Sequence, residues 1–417
     1  MSIVNKNKNQ LIANWLFLVI SILSPFLALP FLSRVLGQNN FGIYLTVLAM
    51  SAFVVILCDY GFNVTSARRI ALNKESILKK SEIVSTTSII KVLLVLVSII
   101  FFSLLINISE KFIEFRNIYI PTIILFFSLS MQPIWYFIGT KKIIINSVLV
   151  SLSRIIPLPF LFYFVKDAQD LYLAIHIQSI ASFLCLIISY LYILTREKLI
   201  FKLPKISIIF NYLRDDIMLL FSNILIGIYA SLNSVLLGLN ASYIEVATYA
   251  GIERIFKTLE SLLASSSSIF FPSIARKINI NKKDATEQIR QISKFYAVIG
   301  LVIVLISLFF GSFLLKILYG DSFNYSSKAL FIVMFIPLFG SIATAYGNLG
   351  LLNLRKNKTF FKNLLVGSIF NILIVLFLGN LYGAVAAALG IFSATIIICF
   401  LMYHSFKQEI TKINRTD

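Results

Sequence analysis

Apolar residues run through this chain in long blocks, each interrupted by a short polar segment rich in lysine and arginine. Most blocks are hydrophobic on every side and show neither strand alternation nor the one-sided stripe of a soluble helix, which is the pattern of helices buried in lipid. The blocks predict twelve spans, at 11–32, 41–63, 88–108, 118–139, 144–166, 170–194, 215–239, 244–272, 293–317, 327–352, 360–380 and 382–405. At about 1.5 Å rise per residue, each is long enough for a hydrocarbon core of about 30 Å. The expected fold is an all-α polytopic membrane protein with two six-helix halves around a central cavity. An N-terminal half covers 1–200, a cytoplasmic linker 201–214 and a C-terminal half 215–417. A faint internal echo fits two related halves: Gly42-Ile43-Tyr44 and Ala247-Thr248-Tyr249 both stand where an outside loop enters the next span.

Composition supports the membrane assignment, since 59% of the 417 residues are hydrophobic and only 13% charged, with a mean hydropathy of +0.90. The net charge of +19 would suit nucleic acid, but its distribution argues against that partner, because the basic residues cluster between spans. With a cytoplasmic N-terminus, Arg34, Lys111, Arg116, Lys166, Lys316 and Lys328 fall outside, and Arg154, Arg254 and Lys257 fall within spans. All the other lysines and arginines then face the cytoplasm, which fixes the orientation and puts both termini inside. The first span follows no small-residue cleavage site and is expected to stay. The longer connections, 64–87, 195–214 and 273–292, are cytoplasmic.

No phosphate loop, HExxH, GxSxG or CxxC is present, and His176 and His404 are the two histidines. Cys58, Cys185 and Cys399 lie in apolar spans without metal-ligand spacing and read as small hydrophobes. No cofactor, no metal and no enzymatic chemistry are therefore expected. A polysaccharide polymerase or ligase would expose a large periplasmic loop, and the predicted outside loops are short.

Candidate chemistry lies inside the spans, where a charge at mid-membrane costs about 2.5–3.5 kcal/mol. On the eighth span Arg254, Lys257, Thr258, Ser261, Ser265 and Ser268 recur at three- and four-residue steps and share one face. Glu253 and Glu260 flank Lys257 at i−4 and i+3. One reading is a helix-packing ion pair eased by serines; the other is the wall of a water-filled cavity that receives an anion. Arg154 sits mid-way along the fifth span ahead of Pro157 and Pro159, where a bend is expected, and either joins that anion site or pairs with Glu260 or a carbonyl. Asn223 and Asn233, with Tyr229 between them, read either as a second polar face or, ahead of that, as polar glue between packed helices. His176 is a hydrogen-bonded helix residue or a proton relay. Asp59 is read as an inner-gate clamp with Arg68, Arg69 or the loop backbone as partner, ahead of an ion-coupling role.

"LPFLSRVLGQNNFGIYL" (29–45) with "DYGFNVTSARRIA" (59–71), "QPIWYFIGTKK" (132–142), "VATYAGIERIFKTLESLL" followed by "FFPSIAR", and "LYGDSFNYSSKALFIVMFIPLFGSIATAYGNLGLL" (318–352) resemble the Wzx-type O-antigen flippases. That resemblance implies a twelve-helix exporter of the multidrug, oligosaccharidyl-lipid and polysaccharide superfamily in the bacterial inner membrane. Its implied substrate is an undecaprenyl-pyrophosphate-linked oligosaccharide, moved between leaflets by alternating access. Membrane lipid, and a polysaccharide polymerase with chain-length proteins, are the implied partners. On that footing Arg254, Lys257 and Arg154 are substrate-binding candidates, with Glu253, Glu260, Asp59 and His176 as supporting or ion-coupling groups. Arg34 belongs to the family's Arg-Val-Leu-Gly motif and, with Arg68 and Arg69, reads as gate or structural. "IERIFK" carries arginine where the family pattern has lysine. The neighbouring alternative is a cation-coupled multidrug exporter of the same superfamily, in which acidic cavity residues would be expected.

Overall fold

The computed structural model describes the backbone of residues 2–416 except 74, 109–114, 321, 322 and 324. Side chains of 1–23, 105, 108, 218, 219, 222, 225, 226, 228–231, 261–266, 268, 269, 272, 275, 279, 282 and 412–417 also lie outside the description. Among the described residues the secondary structure is entirely helical. In chain order the helices are α1 (Ser2–Asp59), α2 (Phe62–Leu72), α3 (Ile77–Ile108), α4 (Tyr119–Ser130), α5 (Ile134–Gly139), α6 (Ile143–Ile155), α7 (Pro157–Phe164) and α8 (Leu171–Arg196). There follow α9 (Ile206–Asn240), α10 (Tyr243–Ile280), α11 (Lys282–Tyr319), α12 (Ser327–Val333), α13 (Ile336–Thr344), a π-helical stretch (Ala345–Leu352), α14 (Asn357–Tyr382) and α15 (Ala384–Thr416).

Nine stretches among the described residues are long and apolar enough to cross a membrane, from Ser24–Asp59 to Ala384–Thr411. In lipid every backbone amide must find its partner within the segment, so apolar blocks of this length become helices. The first stretch contains a break. The segment expected as a loop between spans one and two is helical on both sides of Gly37, whose φ of 71° and ψ of 165° interrupt the ladder; a left-handed φ suits a residue without a Cβ. The bend expected near Pro157 is the junction of α6 and α7 at Ile156, where proline stands at the first helical position and removes an amide.

The chain forms two compact units, Met1–Asn40 with Val47–Ile224, and Phe41–Thr46 with Leu225–Asp417. In the first, Trp135, Tyr136 and Phe137 of the "PIWYF" run are fully buried, packed with Phe62, Ile70 and Ile193. Gly139 lets α5 lie directly on α2, since a Cβ there would meet Ala67 O at 2.6 Å. The core of the second unit gathers Ile274, Tyr296, Tyr346, Met402 and Phe406. There Glu245 of α10 caps α15 by accepting the Ala384 amide at 2.6 Å, so one orphan donor of that helix is satisfied.

Candidate functional site

Ser242 starts α10 as its N-cap, its hydroxyl accepting the Glu245 amide at 3.4 Å. Val246, Ala247, Tyr249, Ile252 and Phe256 then bury the inner faces of the helix. That packing fixes the rotation of α10 and so the direction of its charged positions. Glu253 Oε1 pairs with Lys257 Nζ at 2.8 Å, with side-chain exposures of 11% and 24%. The same oxygen accepts the Tyr249 phenol at 2.6 Å. Tyr249 in turn accepts Asn233 Nδ2 at 2.9 Å, and Asn371 Nδ2 donates to Asn233 Oδ1 at 2.7 Å. A chain of hydrogen bonds therefore runs from α14 through α9 into α10 and ends on the Lys257 ammonium. Asn371, Asn233, Tyr249 and Glu253 are all buried, where each bond counts for more than it would in water.

Arg254 points elsewhere. It makes no ion pair among the described residues, and its charge acts on the buried phenols of Tyr44 and Tyr319. Tyr319 donates to Gly251 O at 3.2 Å, one turn earlier on α10. The expectation that Glu253 and Glu260 together hold both cations is met at Lys257 and not at Arg254. Glu260 instead lies against α13, where a Cβ on Gly340 would collide with its Oε1. Of the polar stripe, Thr258 is described and returns its hydroxyl to Arg254 O at 2.7 Å; the side chains of Ser261, Ser265 and Ser268 lie outside the described residues.

Arg154 belongs to the first unit. It ends α6 with an exposed side chain, and its carbonyl accepts Ser24 Oγ at 2.7 Å. Asp59 ends α1 ahead of a left-handed turn through Tyr60 and Gly61. Its carboxylate accepts Asn223 Nδ2 at 3.2 Å through Oδ2, and its Oδ1 meets no hydrogen-bond partner among the described residues. Its hydrogen-bond partner is therefore Asn223, and Arg69 is engaged elsewhere. Arg69 makes a fork on Asp216 at 2.8 and 3.1 Å, helped by Thr65 Oγ1 at 2.9 Å, and stacks 3.8 Å above the Tyr212 ring. Asp216 is 147 residues away along the chain, too far for local spacing to reveal. Arg68 and Arg34 are exposed. His176 stacks on Tyr172 at 5.4 Å, and its Nδ1 meets no hydrogen-bond partner among the described residues. Asn223 and Asn233 do not act as one polar face, since the first serves Asp59 and the second Tyr249; the side chain of Tyr229 lies outside the described residues.

Lys91 is a further basic residue within the apolar helices, beyond the expected Arg154, Arg254 and Lys257. It is 3% exposed, donates to Gln132 O at 3.2 Å and faces the Asp59 and Cys58 side chains electrostatically. Its signal is legible in "SIIKVLLVLVSII", a single lysine with apolar residues on either side. Gln132 also receives Ser189 Oγ at 3.3 Å, so α3, α8 and the junction between α4 and α5 meet around a buried polar centre.

Two solved structures share the fold. An inward-facing multidrug resistance MATE family transporter of the MOP superfamily aligns at a TM-score of 0.71 and 13% identity, over 97% of this chain and 99% of that one. The lipid II flippase MurJ in an inward closed conformation aligns at 0.67 and 16% identity, over 95% and 87%. Among curated relatives, an Escherichia coli K12 protein named "Putative O-antigen transporter" is 26% identical over 96% of this chain and 97% of its own length. A Shigella dysenteriae protein of the same name is 24% identical over 95% and 97%. Residues 11–278 match the family described as "Polysaccharide biosynthesis protein". That match spans well over half of the chain, and the chain belongs to this family.

Proposed function

We propose that this protein is a flippase for a polyprenyl-pyrophosphate-linked oligosaccharide, moving the unit from the cytoplasmic to the periplasmic leaflet of the bacterial inner membrane. The twelve-span order, cytoplasmic termini and alternating access are part of this reading. The observation that supports it best is the cationic pair on α10. Lys257 is held by a buried relay, and Arg254 lies one position after its carboxylate partner without an ion pair among the described residues. A pyrophosphate is a compact, doubly forked acceptor, and a guanidinium matches it with parallel donors. Lys257 would exchange Glu253 for the phosphate as the headgroup arrives, which leaves the carboxylate to Tyr249. The relatives' shared name, O-antigen transporter, adds the substrate class. With the cell interior negative, moving anionic charge outward gains about 2.3 kcal/mol per charge per 100 mV.

The test uses a strain lacking the gene and measures the amount and sidedness of polyprenyl-pyrophosphate-linked oligosaccharide. Wild type should clear a cytoplasmic-leaflet pool, and the Arg254→Ala, Lys257→Ala form should not. Normal clearance by the double variant makes the α10 cations packing groups. No pool without the gene removes the flippase reading and points to drug efflux.

A further inference from the structure

Residues 198–214, between α8 and the first turns of α9, expose basic and apolar side chains side by side. Leu199 is buried and anchors the segment. The next residues are strapped along α3 by their backbone, the Ile200 amide donating to Ser81 Oγ at 3.0 Å and the Lys202 amide to Ser85 Oγ at 2.9 Å. Ile209, Tyr212 and Leu213 also pack against the core, while a second set of apolar side chains faces outward. Leu203 is 86% exposed, Ile206 72% and Phe210 67%, and the last two lie i, i+4 on one face of α9.

Two acidic neighbours, Glu197 and Asp216, are engaged inside the protein. Glu197 pairs with Lys142, and Asp216 takes the Arg69 fork, with the more exposed Asp215 3.8 Å from the same guanidinium. Lys198, Lys202, Lys205 and Arg214 are exposed and make no ion pair among the described residues. Asp215, at 67% side-chain exposure, and Glu82 on α3 are the nearby acids left in solvent, against four cations. The result is a basic strip with greasy side chains at its edge, located where one transmembrane helix ends and another begins. Water is a poor solvent for the apolar part, and the hydrocarbon core is a poor one for the cations. The headgroup boundary of an anionic leaflet suits both.

We propose that residues 198–214 form an interfacial apron that docks on phosphatidylglycerol headgroups. The four cations meet the lipid phosphates, and Leu203, Ile206 and Phe210 seat among the first acyl carbons. This inference rests on the membrane assignment and is independent of the transported substrate.

The experiment labels a Leu203→Cys variant of the full chain with a small fluorophore and reconstitutes it in phosphatidylcholine vesicles holding a minority of phosphatidylglycerol. In one preparation the phosphatidylglycerol chains are brominated, in the other an equal fraction of the phosphatidylcholine chains. Quenching per brominated lipid should be at least about twofold greater from phosphatidylglycerol, and raised salt should narrow that difference. Adding Lys202→Gln and Lys205→Gln should bring the two lipids level. Equal quenching by both lipids in the parent makes the apron an ordinary lipid contact and overturns the proposal. Absence of quenching by either also overturns it, placing the strip in water and free for a soluble protein. A phosphatidylglycerol preference that survives the double change overturns the assignment of the lysines.

Discussion

Tyr249 and Lys257, two turns apart on α10, converge on a single atom, Glu253 Oε1, at 2.6 and 2.8 Å. The phenol and the ammonium both donate to this carboxylate and orient it on the helix. Tyr249→Phe should cost about 1–3 kcal/mol, because Glu253 loses a donor and Asn233 Nδ2 keeps only the long contact to Ala387 O, while the ion pair survives. Glu253→Gln should cost more, about 3 kcal/mol, because it strips the ion pair from a largely buried ammonium and leaves Glu260 as the carboxylate whose charge it still feels. Thermal unfolding of the two variants in one detergent gives the order, and a Tyr249→Phe loss equal to that of Glu253→Gln would refute the relay.

Gly340 reads as a spacer for Glu260. A methyl at this position would overlap Oε1, so Gly340→Ala should displace the carboxylate and lower stability by about 1–3 kcal/mol through overpacking. Combining it with Glu260→Ala should recover part of that loss, since the clash partner is gone. A double-mutant cycle on melting temperature shows whether the two positions are coupled.

The Arg69–Asp216 fork is the tightest link between α2 and α9. Asp216 is nearly fully buried at 2% side-chain exposure, so Arg69→Ala should be strongly destabilising, at about 3–5 kcal/mol. Arg69→Lys should recover only part of it, because an ammonium can neither bridge both carboxylate oxygens nor stack flat on Tyr212. Proteolysis of the α2 region in membranes would report the same order.

Lys142 and Glu197 stand just outside their helices, joined by a short ion pair. Burial pushes the Glu197 carboxyl up, but the hydrogen bond and charge of Lys142 outweigh it and leave it below its usual 4.5. The hydrogen bond to Glu197 outweighs burial at Lys142 and holds its ammonium above the usual 10.5. A lowered carboxylate contributes stability that is present above its unfolded value and lost as pH falls through the folded one. A raised ammonium contributes stability that is present below its unfolded value and lost as pH rises through the folded one. The pair should therefore add stability between roughly pH 5 and 10 and lose it on both flanks. Glu197→Gln should flatten both flanks, which melting curves across pH would reveal.

The path of the chain was largely readable because a bilayer allows few solutions. Long apolar blocks must be helices, and Pro157 marked a junction from sequence alone. Side-chain pairing was less readable. Glu253 and Lys257 are four apart on one helix, so their contact follows from spacing, whereas Arg69 and Asp216 meet only through tertiary packing. Lys91 escaped because it stands close to a basic loop and reads as a flanking charge. Asn371 escaped because an asparagine in a span carries no signature of its partner until α9 and α14 are brought together.

The π-helical stretch Ala345–Leu352 stores a rotation. Its backbone closes one residue later than an α-turn, so the segment holds surplus residues within the same number of turns. Rewinding it as α-helix would swing the chain beyond Leu352 by roughly 100° for each residue taken up. Tyr346, within this stretch, packs against Tyr403 and Phe406 at 5.1 and 5.6 Å. Trimming that ring, as in Tyr346→Ala, would open a hole beside a backbone that has a second way to wind.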